Sequence, residues 1–234
     1  MNMRKTAVAL SLLLASPLAL ADMDDDPTLF SVMIDKLEYR AMNGDNPVIW
    51  DADAWLGKDL NKLWFKTEGE IADGTTEDAW AELLYSRGIA PYWDVQVGWR
   101  HDFRPEPQRD WLAVGIKGLA PYWFEVDATA YARTDGSLFA RLDVEYEFMI
   151  TQRLILSPEL EVDVFSRKDE QRGIGSGLST AELGLRLRYE IRREFAPYIG
   201  VNWEKAFGDT ADYAREEGES TSDLQFVVGI RAWF

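Results

Sequence analysis

The stretch QFVVGIRAWF, residues 225–234, closes the sequence on an aromatic residue. Chain ends are usually polar and frayed because nothing holds them. Here every second position is apolar, through Leu224, Phe226, Val228, Ile230, Ala232 and Phe234. Asp223, Gln225, Gly229 and Arg231 fall between them, and Val227 and Trp233 blur the pattern without erasing it. A period of two means a strand with one greasy and one wet face. The final residue therefore has a place to be, at the end of a strand.

The same alternation recurs upstream in YWDVQVGWRHDF, YWFEVDATAYAR, LFARLDVEYEF, RLILSPELEVDVF and AELGLRLRYEI. In the third of these, Leu138, Ala140, Leu142, Val144, Tyr146 and Phe148 alternate with Phe139, Arg141, Asp143, Glu145 and Glu147. A soluble secreted sandwich also alternates, so period alone does not choose. Length does: these segments exceed the ~5–6 residues of a soluble strand and match the ~9–11 of a tilted membrane strand. Their polar faces are charged throughout, as in Glu182, Arg186, Arg188 and Glu190 of one segment.

The connections then set the architecture. Tight junctions at 89–93, 119–123, 149–153 and 194–199 alternate with longer polar ones: ADGTTED, RPEPQRD, RTDGS, RKDEQRGIGSGLS and GDTADYAREEGESTSD. Short turns at one end and long loops at the other are how an up-and-down barrel crosses an outer membrane. Ala-Pro-Tyr at 90–92, 120–122 and 196–198 suits the short-turn end, and the 10 Trp and 9 Tyr suit an aromatic girdle at the interface. Ten strands are expected at 61–71, 77–89, 91–103, 110–120, 121–133, 137–148, 152–165, 179–191, 195–207 and 222–234. Weaker ones near 29–40 and 48–56, in the wall or folded inward, make the all-β, antiparallel transmembrane barrel about twelve-stranded. The last strand is expected to close it against the first.

The N-terminus fits that destination. MNMRKTAVALSLLLASPLALA has Arg4 and Lys5, an apolar core and Ala19-Leu20-Ala21, a secretory signal peptide over 1–21. A short acidic leader, 22–28, and the barrel, 29–234, are expected to follow. With 41 Asp+Glu against 25 Lys+Arg the chain has a net charge of -16, which excludes nucleic acid as a partner. It has 0 Cys, hence neither disulfides nor thiolate metal sites.

Several stretches carry a family resemblance: KLWFKTEGE, LLYSRGIAPYWDVQVGWRHDFRP, GLAPYWFEVDATAY, TQRLILSPELEVDVF and GIGSGLSTAELGLRLRYEIRREFAPYIGVNWEKAFGDTADYAR. From about Asp35 to Phe234 the chain resembles the copper resistance protein B family of Gram-negative outer membranes. The resemblance implies an outer-membrane barrel that binds or handles copper ions; the barrel is expected to be a monomer without catalysis. Its surroundings would be outer-membrane lipid and other copper-resistance proteins of the periplasm. Many members carry a Met- and His-rich segment before the barrel; here DMDDDPTLF stands in its place.

Ligands for copper are therefore sparse. Met33 and Met149 read as packing residues, and Met23 and Met42 as members of loose segments. The metal candidates are His101, Asp102, Met23 and the carboxylates Glu68, Glu70, Glu145, Glu147 and Glu161, on faces that alternation turns inward. Such carboxylates could concentrate cations in a water-filled lumen, or pair in ladders with Arg100, Arg141, Arg153, Arg186 and Arg188 on the same faces. A passive cation-preferring channel is thus a second reading.

A third is an outer-membrane lipid hydrolase using His101 and Asp102. Neighbouring strand residues point to opposite faces, which places His101 on the lipid side and Asp102 inside. GIGSG, 173–177, lacks the Lys-Ser/Thr of a phosphate loop and reads as a flexible connector. AREEGESTSD reads as a solvated acidic loop.

Overall fold

The computed structural model describes residues 26–41 and 46–234. The expected signal peptide, most of the expected leader with Met23, and Met42 lie outside the described residues. The strands are β1 (Leu29–Ala41), β2 (Val48–Gly57), β3 (Asn61–Ala72), β4 (Thr75–Ala90), β5 (Trp93–Arg104), β6 (Arg109–Ala120), β7 (Phe124–Ala132), β8 (Leu138–Glu145), the two-residue β9 (Phe148–Met149), β10 (Leu154–Phe165), β11 (Gly177–Tyr189), β12 (Phe195–Ala206) and β13 (Ser222–Trp233). β8 and β9 lie successively along the same edge of β10, so the wall counts twelve strands.

Each strand runs antiparallel to the next, and β13 pairs with β1 to close the sheet. The last residue is held there: Phe234 donates its N–H to Val32 O at 2.8 Å, and Val32 donates back to Phe234 O at 3.0 Å. In hydrocarbon an open sheet edge has no water to satisfy it, so closure is obligatory. The weak first strands belong to the wall and are not a plug.

Alternation sorts the side chains as expected. On β13, Leu224, Phe226 and Val228 face outward, whereas Gln225 and Val227 are buried within. On β11, Leu183 and Leu185 face outward while Arg186 and Arg188 are buried inside. The outward apolar face meets the bilayer.

One strand breaks the period usefully. β1 is bulged between Ile34 and Lys36 against β2, and between Ile34 and Leu37 against β13. The extra residue lets adjacent Asp35 and Lys36 both point into the lumen; both line its cavities. A regular strand would turn one of the two charges toward lipid.

Several sequence expectations are corrected. ADGTTED is no long loop: β3 and β4 continue to a two-residue turn at Asp73 (φ 48°) and Gly74 (φ 78°), the left-handed pair that suits a twisted hairpin. GDTADYAREEGESTSD contains a helix, α1 (Gly208–Glu217), ended by Gly218, whose N–H reaches Ala214 O and Arg215 O. GIGSG is docked on that helix, with Gly175 N–H donating to Thr210 Oγ1 at 2.8 Å.

The third Ala-Pro-Tyr also departs from the first two. Tyr92 and Tyr122 are exposed at short turns, but Tyr198 lies inside β12 and is buried. Nor do all aromatics form a girdle. Trp111, Tyr131 and Phe139 pack with Leu84 and Ala113 inside the barrel, against Trp64 and Phe165. Arg153 is exposed in the turn before β10, not in the lumen.

Deleting Lys36 removes one residue of the bulge and restores strict alternation, with Asp35 and Glu38 still facing inward. The variant is expected to keep the heat-modifiable gel migration of a folded barrel. Loss of the folded band would mean that the bulge itself is needed for closure.

Candidate functional site

Among the described residues, two sizeable cavities lie in the lumen. The larger, about 500 Å³, lies toward the short-turn end and is bordered by Met33, Asp53, Trp64, Lys117, Glu125 and Asp143. Eleven carboxylates and five cationic side chains line it. The smaller, about 310 Å³, lies toward the long-loop end, lined by eight carboxylates and four arginines. Burial of so many like charges would be prohibitive without partners. The chain meets this cost by networks that cross the lumen.

The first network centres on Glu38, whose side chain is fully enclosed. Arg40 Nε donates to it at 2.8 Å, Arg186 Nη2 and Nε at 2.9 and 3.0 Å, and the Tyr198 hydroxyl at 3.0 Å. Gly229 makes this approach possible, since a Cβ there would stand 2.6 Å from the Tyr198 hydroxyl and 2.8 Å from Glu38 Cβ. Arg186 continues to Glu159 at 2.6 Å, and Lys36 reaches the other Glu159 oxygen at 2.5 Å.

A second network centres on Arg141. Its Nε and Nη2 each bond an oxygen of Asp163 at 2.9 Å, Nη2 also lies 3.1 Å from Glu161, and Nη1 donates to Glu68 at 3.0 Å. Lys66 crosses from β3 to Asp127 on β7 at 2.7 Å. Arg100 bonds Asp102 at 2.6 Å and lies over the Trp80 ring at 4.2 Å.

A cover ties the long-loop mouth. Arg172, from the loop between β10 and β11, drops its nearly enclosed side chain onto Asp102 at 2.8 Å and Arg104 O at 3.1 Å. Arg109 holds Asp169 of the same loop at 3.0 and 3.1 Å. Lys168 pairs with Asp209 of α1 at 3.0 Å, a bond that raises the lysine above its ordinary range. In the β7–β8 loop, the bond from Arg133 holds the Asp135 carboxyl well below the usual range.

The sequence candidates divide accordingly. Glu68 and Glu161 meet on Arg141. Glu145 and Glu147 meet on Arg231, at 3.6 and 3.2 Å, and Glu147 also pairs with Arg188. Glu70 lines the loop-side cavity. Asp102 is engaged by Arg100, Arg172 and the Trp111 indole, whose N–H donates at 2.9 Å.

His101 joins none of these. It lies on the outer face between Trp99 and Phe103, with Nδ1 2.8 Å from Asp110. Asp110, and not Asp102, is its acid partner, across the β5–β6 ladder.

Asp35 and Lys36 join the lumen outside the expected candidates, and their two adjacent charges in a strand are the available sign of a bulge. Met33, expected to pack, borders the larger cavity with Sδ 3.6 Å from Arg231 Nη2. Among the described residues no three His, Cys, Asp or Glu side chains converge on one point as metal ligands would.

The chain matches the family described as copper resistance protein B precursor over residues 28–234. Copper resistance protein B of Escherichia coli is 46% identical over 210 residues, which cover 90% of this chain and 71% of that protein. A copper resistance protein B homolog of Pseudomonas syringae pv. tomato (strain ATCC BAA-871 / DC3000) is 44% identical over 200 residues, covering 86% and 68%. Among solved structures, a NanC porin aligns with TM-score 0.58 and 14% identity, and a KdgM porin with 0.51 and 11%. Each alignment covers 87% of this chain and 99% of the porin. The porins share the fold alone.

Glu38 gives the site its stability test. Arg186→Ala strips two of its donors and one from Glu159, and breaking a buried pair in this way costs about 3–5 kcal/mol. Urea unfolding from lipid vesicles should show a loss of that size, while Glu147→Gln, at the more open rim, should cost far less.

Proposed function

The chain belongs to the copper resistance protein B family and to the Gram-negative outer membrane, and we propose that its acidic lumen handles copper as cargo without acting on it chemically. The observation that carries this reading is the excess of carboxylates over cations in both cavities. Low-dielectric walls focus that field and raise the local concentration of cations. The donor set supports passage over storage. It consists of oxygens with Met33 as the thioether at the larger cavity, whereas tight copper sites use imidazole or sulfur. His101, the single histidine, stands outside the wall and away from that path.

A closed wall leaves no strand edge to pair with another copy, which favours a single barrel as the working unit. Periplasmic copper-resistance proteins are the partners that family membership suggests, on the short-turn side where the larger cavity lies.

The His101–Asp110 pair is the one observation on the side of a lipid hydrolase. Such an enzyme needs a nucleophile within reach of the imidazole. Among the described residues no hydroxyl is bonded to His101.

The purified barrel in detergent should be titrated with Cu(I) and Cu(II) against a competing chelator. Weak Cu(II) binding is expected, reduced when Asp53, Asp143 and Glu125 are replaced by amides and unchanged by His101→Ala. Tight stoichiometric binding that His101→Ala abolishes would overturn the lumen reading.

A further inference from the structure

We propose that Arg141 closes the passage between the two cavities and controls which ions cross it. The inference rests on the lumen being a cation path, and it names the residue on which that path turns. Among the described residues, only Glu68, Trp80, Arg141 and Glu161 line both cavities, so the two meet at this layer.

The geometry makes Arg141 the closing element. Asp163 sits directly opposite it on the neighbouring strand β10, and the two planar groups are joined by the pair of 2.9 Å bonds. Those bonds alone would lay the arginine along its own wall. Nη1 instead reaches Glu68 on β3, five strands away around the barrel, at 3.0 Å. One guanidinium thus spans from wall to wall, with the Trp80 and Phe139 rings at 5.7 and 5.9 Å.

Its charge matters as much as its bulk. The fork supplies five donors in fixed directions, enough for Asp163, Glu161 and Glu68 together; a lysine ammonium supplies a point charge on a flexible stem. While Arg141 stays, it fills the layer where the cavities meet, and its charge offsets part of that of Glu68, Glu161 and Asp163, so the pull of this layer on a cation is weakened. If the side chain swings aside, the three carboxylates face the opening without that offset and the local field becomes more negative. Arg141 is therefore a specificity-determining residue, and Glu68 is the residue that positions it across the lumen.

Single-channel conductance in planar bilayers tests this with potassium chloride, so the outcome does not depend on copper binding. Arg141→Gln is expected to raise conductance several-fold and to shift the reversal potential in a salt gradient toward greater cation preference. Glu68→Gln, which frees the arm from the far wall but keeps its charge, should raise conductance less. Arg153→Gln, in an exposed turn, should leave it unchanged. Heat-modifiable migration identifies folded barrels. Folded Arg141→Gln that conducts like the wild type overturns the proposal; should that variant fail to fold, an unchanged conductance in Glu68→Gln overturns it equally.

Discussion

Backbone groups in hydrocarbon must bond to one another, because no water is present to take their place. In this chain that requirement is met by one pairing, β13 against β1, which joins the two ends of the described sheet. The reciprocal bonds of Val32 and Phe234 are its last rung. Once the sheet is closed, each residue of a strand must choose lipid or lumen, and most charged side chains are driven to the lumen, with Asp110 beside His101 an exception near the loop end. The crowded interior follows from the closed wall.

Crowding then creates a second constraint. Carboxylates outnumber cations in both cavities, and isolated buried charges are costly. The arginines respond by taking several partners each. Arg186 holds Glu38 and Glu159, Arg141 holds Asp163, Glu161 and Glu68, and Arg231 holds Asp35 and Glu147. The planar fork suits this because one side chain can satisfy two or three acids in set directions. In the cation path proposed above, the groups that set stability also set selectivity. The pairs that make the interior tolerable also leave it narrow, and the acids that remain in excess give it its sign.

The interior is also lopsided. From β4 to β8 the lumen side is filled by Leu84, Trp111, Ala113, Tyr131 and Phe139, an apolar wedge uncommon in a water-filled tube. Rings stack through it, Tyr131 on Phe139 at 4.7 Å and Phe139 on Phe165 at 4.4 Å. The wedge stiffens one wall and confines the polar path to the remaining space, where Arg141 and Glu68 meet.

Strand number, closure and facing were legible in the sequence, because a period of two is a local property and the bilayer imposes it on every strand. The chain's place in its family could be read from the same segments. Legible too was the separation of His101 from Asp102, which follows from adjacency on a strand. What the sequence could not supply is which charges meet. Arg141 and Glu68 are 73 positions apart, and Arg186 and Glu38 are 148 apart. Their contact depends on barrel curvature and strand stagger, which no local pattern encodes. The bulge at Asp35 and Lys36, the inward turn of Tyr198 and the docking of the GIGSG loop on α1 belong to the same class. Each is settled by what lies across the lumen or over its mouth, and only the closed tertiary structure brings those groups within bonding distance.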